Sequence, residues 1–456
     1  MQLLTRDRTF YRSLVSLAIP VALQNLVTFA VGFADNLMVG ALGDAAVSGV
    51  YMGGQIQTFL QLFSGGIEGA ILILAAQYWG RKDTGSIRRI VSIGLHFSVA
   101  FGLLLMLLGL LLPRQLIGIF THESAVIADG AAYLRIVCLS YVFFCITQAL
   151  IAAMRSVEVA RIGLWVSSIS LVCNITLNYA LIFGKLGLPA MGVEGAALAT
   201  LLARMVETGV MIFYVARVDR KLRLRFSDLL HSDPVLRRDF IRYGLPIVGG
   251  NVVWSVNMMT NSAILGRFSA SVITAASVAN TLNALAYVTM NGMSSAVGII
   301  TGKTIGAGDI SRMKEYARTV QLLFLGLGII TGCGLALLKM PFISLYGGIT
   351  AEAADYARQF ITVLSVTAVG TCYQAACLFG LVKSGGDVSF VFKNDTIFVF
   401  LVVLPSAMLA AHFGAPAWVV FACLKCDQIL KCFVAVVKIN RFNWMKNLTR
   451  DAKSEG

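Results

Sequence analysis

The chain has 456 residues, 57% of them hydrophobic and 13% charged, with a mean hydropathy of +0.79; soluble domains carry about 25% charged residues, so composition excludes a soluble globular protein. The formal net charge is +14, but the basic residues fall where membrane topology puts them, which points away from nucleic acid as a partner. Nine cysteines are scattered mostly through apolar runs and imply no disulfide framework.

Apolar stretches of about 20 residues, enough to cross a bilayer core, recur twelve times, near 14–39, 45–76, 90–112, 126–152, 162–184, 192–215, 240–265, 272–301, 317–338, 356–382, 391–411 and 416–437. Continuous runs of this length predict helices, because barrel strands alternate over short segments. The first run follows the charged MQLLTRDRTFYRSL and exceeds the roughly 7–15-residue core of a signal peptide, so it reads as a retained first helix. With the N-terminus inside, 28 Lys and Arg lie in inner segments and 6 (Arg114, Arg135, Lys185, Arg267, Lys339, Arg358) at or near the outer side. The positive-inside rule then expects a multi-pass protein of the cell membrane with both termini cytoplasmic and outer loops near Gly43, His122, Leu188, Ala270, Gly347 and Gly414.

The two halves repeat. Pro20 and Pro246, Gly40 and Gly266, Gly80 and Gly306, Asp83 and Asp309 are all separated by the same offset along the chain. An even number of spans per half makes this a parallel repeat, an arrangement found in secondary transporters. The expected fold is all-α and integral to the membrane, with twelve transmembrane helices in two parallel-repeat six-helix bundles: an N-lobe at 1–218, a cytoplasmic connector at 219–239 and a C-lobe at 240–456. The repeat does not extend to the acids, since Asn261 stands opposite Asp35 and Ser294 opposite Glu68.

An acid inside a span is costly, by about 3 kcal/mol on insertion scales, and is a functional candidate by default. At 1.5 Å per residue, Asp35 in FADNLMVG lies roughly 8 Å below the outer end of span one, Asn178 roughly 9 Å below the end of span five and Thr200 roughly 12 Å into span six. Asn174 stacks one turn deeper than Asn178 on the same face. Together they could offer oxygens to a proton, a hydronium or a small monovalent cation; alternatively the amides only hydrogen-bond between helices. Glu68, in SGGIEGA near the inner end of span two, is the candidate for gating. Arg204 and Glu207, three residues apart, are expected to pair, and Asp427 with Lys425 and Lys431 is expected as an interfacial cluster. In the second half, Trp254, Met258 and Asn261 on span seven with Tyr287 and Met290 on span eight make a polarizable, aromatic surface suited to varied ligands and to organic cations, or else ordinary packing.

LAIPVALQNL with ADNLMVG in span one, QYWGRKD after span two, NITLNYALIFG in span five, GVEGAALAT opening span six and RFNWMKNLT near the C-terminus together resemble the multidrug and toxic compound extrusion (MATE) transporters over essentially the whole chain. The resemblance implies two bundles around a central cleft, rocking between inward and outward states, and a cation site that falls on Asp35, Asn174, Asn178 and Thr200. Many relatives carry an aspartate where this chain has Asn178, and Trp254 and Cys372 stand where the NorM branch carries further acids.

The expected function is a secondary antiporter exporting drugs or other organic compounds, cationic and amphipathic, in exchange for H+ or Na+. It works as a monomer in contact with membrane lipid, with no cofactor and no metal beyond a sodium ion at Asp35. The alternative is a flippase for lipid-linked precursors in the same superfamily, which would need a cationic cavity, whereas Arg204 is the one basic residue expected well inside a span. An enzyme is not expected: no H-E-x-x-H, Gly-rich phosphate loop or close pair of intramembrane acids is evident, and His96, His122, His231 and His412 are far apart.

Overall fold

The structure, a computed structural model, describes residues 4–121, 123–185, 187–225, 227–228, 233–346 and 349–450; His122, His231 and Gly347 lie outside the described residues. Among them every regular element is helical. In chain order these are α1 (Arg8–Gly40), α2 (Asp44–Gly80), α3 (Thr84–Leu111), α4 (Pro113–Gly118), α5 (Ser124–Val137), α6 (Ser140–Ser156), α7 (Arg161–Phe183) and α8 (Gly192–Phe213). They continue as α9 (Pro234–Leu265), α10 (Ala270–Gly306), α11 (Ile310–Ser344), α12 (Ala351–Gln374), α13 (Val388–Ile397), α14 (Leu404–His412), α15 (Ala417–Leu424) and α16 (Asp427–Asn440). π-Helical turns extend α8 and α12 and join α13 to α14.

Nine described helices are long and apolar enough to cross a membrane, and α5 with α6, bent by 52°, make a tenth as a broken span. α9, of 32 residues, and the α15–α16 pair bring the helical columns to twelve. Two spans expected as single helices are therefore interrupted, at Cys138–Leu139 and at Lys425–Cys426. At the first break the Ser140 hydroxyl donates to the Val137 carbonyl at 2.6 Å, a local bond that competes with the helical ladder.

The sequence repeat is visible in the helix ends. α2 and α10 begin and end at the same offset that separates Asp83 from Asp309, and these two aspartates cap α3 and α11 by accepting the N–H of Ser86 at 3.0 Å and of Arg312 at 3.1 Å. Such caps contribute about 1 kcal/mol each.

The residues gather into two compact units, Leu23–Val248 and Met1–Ala22 with Gly249–Gly456. The boundaries fall inside α1 and α9, outside the connector expected at 219–239. In the first unit the opening half of α9 lies on α2: Gly66 faces the Val248 side chain so closely that a Cβ would collide, and Gly69 faces Ile247. Phe240 stacks on Phe97 at 5.8 Å, and Asp233 pairs with Arg89 at 3.2 Å. In the second unit Gly292 of α10 faces Ala18 and Ala22 of α1 in the same way. Gly66 and Gly292, like Ala22 and Val248, are equivalent positions of the repeat, so the close approach is itself repeated. Glycine is required at both positions because two backbones meet there.

The same unit holds the segments around Thr5 and Trp444 against its helices. Thr5 N–H, just before α1, donates to the Thr319 hydroxyl at 2.8 Å, and Phe10, in the first turn of α1, packs on the Tyr316 ring at 4.5 Å. Hydrogen bonds from Thr9 and from the Tyr316 hydroxyl, at 2.5 Å, hold the Asp7 carboxyl down at about 2. In the second segment Trp444 is fully buried; its Nε1–H donates to the Ile439 carbonyl at 3.1 Å and its ring fills the space a side chain at Gly385 would need. Lys438 and Lys446 each reach Asp387 at 2.7 Å. Burial pushes the Asp387 carboxyl up, but the two ammonium groups overcome it and hold the carboxyl below its ordinary range.

Trp444→Ala should therefore lose about 3–5 kcal/mol, read as a lower midpoint of thermal unfolding in detergent. A depressed folded-state pKa gives stability that is complete above the ordinary carboxylate value, near 4, and is lost as pH falls through the lower folded value. Asp387→Asn should accordingly lower the midpoint at neutral pH and flatten its fall on acidification; a variant as stable as wild type at neutral pH would contradict this.

Candidate functional site

Within the unit Leu23–Val248, four side chains expected to form a cation site converge. Asp35 sits on α1, five residues before its end, Asn174 and Asn178 on α7 and Thr200 on α8. α7 and α8 pack along each other, helped by Gly195, where a Cβ would strike the Leu181 carbonyl at 2.6 Å. That contact sets Thr200 level with the α7 asparagines.

The Asn178 amide is fully buried and forks: its Nδ2 donates to Asp35 Oδ1 at 2.5 Å and to Asn174 Oδ1 at 3.1 Å. Asn178 Oδ1, also buried, accepts no hydrogen bond from any described residue. The Thr200 hydroxyl donates to the Ala196 carbonyl at 3.0 Å and lies within hydrogen-bonding reach of the Tyr133 hydroxyl. The layer therefore gathers two amides and two hydroxyls around one carboxylate and leaves the Asn178 oxygen without a donor among the described residues. An orphaned buried carbonyl oxygen normally carries a penalty of about 1–3 kcal/mol, and a proton or small cation supplied to the layer removes it.

The neighbouring charges are already engaged. Arg204 lies within electrostatic reach of Asp35 but its guanidinium binds Glu207 at 2.6 Å and lies over the Phe144 ring at 5.0 Å. Glu207, 2% exposed, also accepts from Ser170 at 3.3 Å. Tyr133 of α5 completes the wall beside Thr200. It carried no signal in the sequence, because the α5–α6 bend that turns it inward has no proline or glycine to announce it.

Glu68, on α2 beside the glycines that admit α9, makes no hydrogen bond or ion pair with any described residue, and Arg155 lies within its electrostatic reach. Arg155 itself donates to Gln24 Oε1 at 2.6 Å.

In the other unit Trp254 is exposed, Met258 and Tyr287 are half-buried, and Asn261 and Met290 are buried. Asn257 and Asn261, one turn apart on α9, each keep a buried carbonyl oxygen without a donor among the described residues. Two expectations are corrected here. Asp427 and Lys431 are both buried, at 4% and 6% exposure, and Lys431 joins Asp427 at 3.0 Å to Asp395 of α13 at 2.9 Å. A close pair of intramembrane acids therefore does exist, and Arg204 is not the one basic residue deep in a span. Asp395 stands in the apolar run FKNDTIFVFL, so the criterion that singled out Asp35 could have found it.

Breaking a buried ion pair on one side costs about 3–5 kcal/mol, whereas replacing both partners by apolar groups is often neutral. Glu207→Ala should therefore lower the thermal midpoint sharply and Arg204→Met with Glu207→Leu should recover most of it. Failure of the double variant to recover would give the pair a role beyond packing.

The MatE family profile matches residues 20–180 and 246–409, one block in each half. A probable multidrug resistance protein NorM of Halalkalibacterium halodurans is 24% identical over 403 residues, 87% of this chain and 86% of its own. Another from Rhizobium meliloti is 26% identical over 340 residues, 74% and 72% of the two chains. Among solved structures, a Vibrio cholerae MATE transporter, VcmN, superposes with a TM-score of 0.87 at 16% identity, covering 96% of this chain and 98% of its own. A transporter of the MOP superfamily from Pyrococcus furiosus gives 0.85 at 16% identity, covering 98% and 100%. With both halves matched in order across the same helices, this chain belongs to the MatE family of multi-pass membrane transporters.

Proposed function

We propose that the protein is a secondary antiporter of the cell membrane, both termini cytoplasmic, that exports an organic, cationic and amphipathic compound in exchange for H+ or Na+. The observation that supports this reading is the Asp35 layer: one carboxylate that amides of α7 hydrogen-bond, with no cation paired to it directly and a buried Asn178 oxygen without a donor among the described residues. The multidrug-resistance names of the relatives supply the substrate class. Asp35 would take the ion, with Asn178 and Asn174 positioning its carboxylate and Thr200 offering a further oxygen. One carboxylate suits one monovalent ion per cycle, which the membrane potential drives inward by about 2.3 kcal/mol per 100 mV. α1 links the site to the rest of the chain, because its first half belongs to one unit and its second half, with Asp35, to the other. Glu68 is assigned to gating, and Trp254, Met258, Asn261, Tyr287 and Met290 to the substrate surface. Against the flippase alternative, Arg204 and Lys431 are each neutralised by acids at 2.6–3.0 Å, while Lys425 lies over the Phe421 ring at 5.7 Å.

In proteoliposomes with separately imposed sodium and proton gradients, Asp35→Asn should fold normally and lose gradient-driven export of an organic cation; export at the wild-type rate and ion dependence would refute the assignment. Asn178→Asp should remain folded and shift the ion preference or pH optimum. For the orientation, single cysteines at Leu188 and Ser86 on a cysteine-free background should be labelled by a membrane-impermeant reagent only at Leu188 in intact cells. Labelling at Ser86 would reverse the topology.

A further inference from the structure

A cleft of about 650 Å3 runs down the surface of the second unit between α11, α12 and the α15–α16 pair, within the range of about 300–1,000 Å3 typical of ligand pockets. Lys339 and Arg358 stand at one end, with Trp418; Val366, Ile429 and Leu430 form the walls further down. The Phe360 and Phe421 rings, stacked 4.3 Å apart, pack α12 against α15 in the core of this unit. The cleft is blind: one turn beyond Thr367, Gly370 brings α12 into backbone contact with Gln428 of α16, so closely that no Cβ would fit, and Gly328 closes α11 onto Val369 at 2.7 Å. From Arg358 to Thr367 the groove descends roughly 14 Å, from the membrane face opposite the two termini toward mid-bilayer.

Charge and shape at the open end are complementary to one kind of molecule. Lys339 and Arg358 are two of only six basic residues near that face, where topology disfavours them, and both border the same groove. Lys339 Nζ donates to the Thr362 hydroxyl at 3.3 Å, which turns it toward α12. Arg358 gives one guanidinium nitrogen to Asp355 at 3.3 Å on its exposed side, and Glu352 receives the Ser271 hydroxyl at 3.1 Å. Trp418, in the first turn of α15 just after Pro416, marks the interfacial depth where indole rings settle. Cations at headgroup level above an apolar slot repel an organic cation and suit a phosphate with a hydrocarbon tail.

We infer that this groove is a binding site for an anionic phospholipid of the leaflet opposite the termini, its phosphate on Lys339 and Arg358 and one acyl chain between α12 and α16. The chain tip then reaches Cys426 at the break between α15 and α16, so occupancy braces the interrupted last span. This site is independent of the Asp35 layer and of the exported substrate.

Trp418 supplies its own reporter. The full-length protein and its Trp418→Phe variant are reconstituted in phosphatidylcholine containing a minor fraction of tail-brominated phosphatidylglycerol or, separately, tail-brominated phosphatidylcholine. The part of the tryptophan fluorescence that the variant lacks should be quenched several-fold more by the anionic lipid, and Lys339→Gln with Arg358→Gln should abolish that preference. Val366→Phe, which fills the groove and keeps the charges, should weaken it as well. Equal quenching by the two lipids, a preference that survives loss of both cations, or quenching by a brominated organic cation in place of the lipid would overturn the proposal.

Discussion

A carboxylate held by amides and by no paired cation among the described residues, inside a membrane-spanning helix, is the constraint on which the site depends. Asp35 cannot be left charged in hydrocarbon without cost, and among the described residues no ammonium or guanidinium pairs with it directly; its close hydrogen-bond donor is Asn178 at 2.5 Å. That amide is divided with Asn174, and its own oxygen has no donor among the described residues. Arg204, the cation that could have paired with Asp35, is committed to Glu207. In the function proposed above, the Asp35 charge is balanced by an ion that arrives and leaves.

The scaffold around the site is repeated, and the chemistry is not. Gly66 with Val248 and Gly292 with Ala22 are the same contact made twice, at equivalent positions of the two halves, and Asp83 and Asp309 cap equivalent helices. At the position of Asp35 the second half has Asn261, whose buried oxygen is also without a donor among the described residues. The second half instead buries its charge as a compensated set, Asp395 and Asp427 about Lys431, which carries its own counter-ions. One half thus keeps an open ionisable group and the other a closed one. α1 connects them in the chain, with Thr5, Asp7 and Phe10 fastened to α11 at its start and Asp35 near its end.

Much of this was legible in the sequence because it rests on rules with a strong signal. Helix spans follow from continuous apolar length, and the repeat follows from a constant offset among Pro, Gly and Asp. The Asp35 layer followed from counting depth along three helices. The interruptions at Cys138–Leu139 and Lys425–Cys426 were not legible, since neither contains the proline or glycine that announces a break. The Asp395–Lys431–Asp427 set was missed for a different reason: Asp395 of α13 lies a whole span away in sequence from Asp427 and Lys431 of α16, and only packing brings both acids within hydrogen-bond distance of Lys431. The exchange of the first halves of α1 and α9 between units leaves only a pair of glycines as its trace, which in isolation read as flexibility.

The central claim, that Asp35 is the group whose charge is cycled, is tested most directly by infrared difference spectroscopy of the reconstituted protein between alkaline and mildly acidic buffer, with and without sodium. The account expects a protonated-carboxyl band that grows on acidification, is suppressed by sodium if sodium is the coupling ion, and is missing in Asp35→Asn. A spectrum with no such band, or one in which the band persists unchanged in the variant, would contradict it.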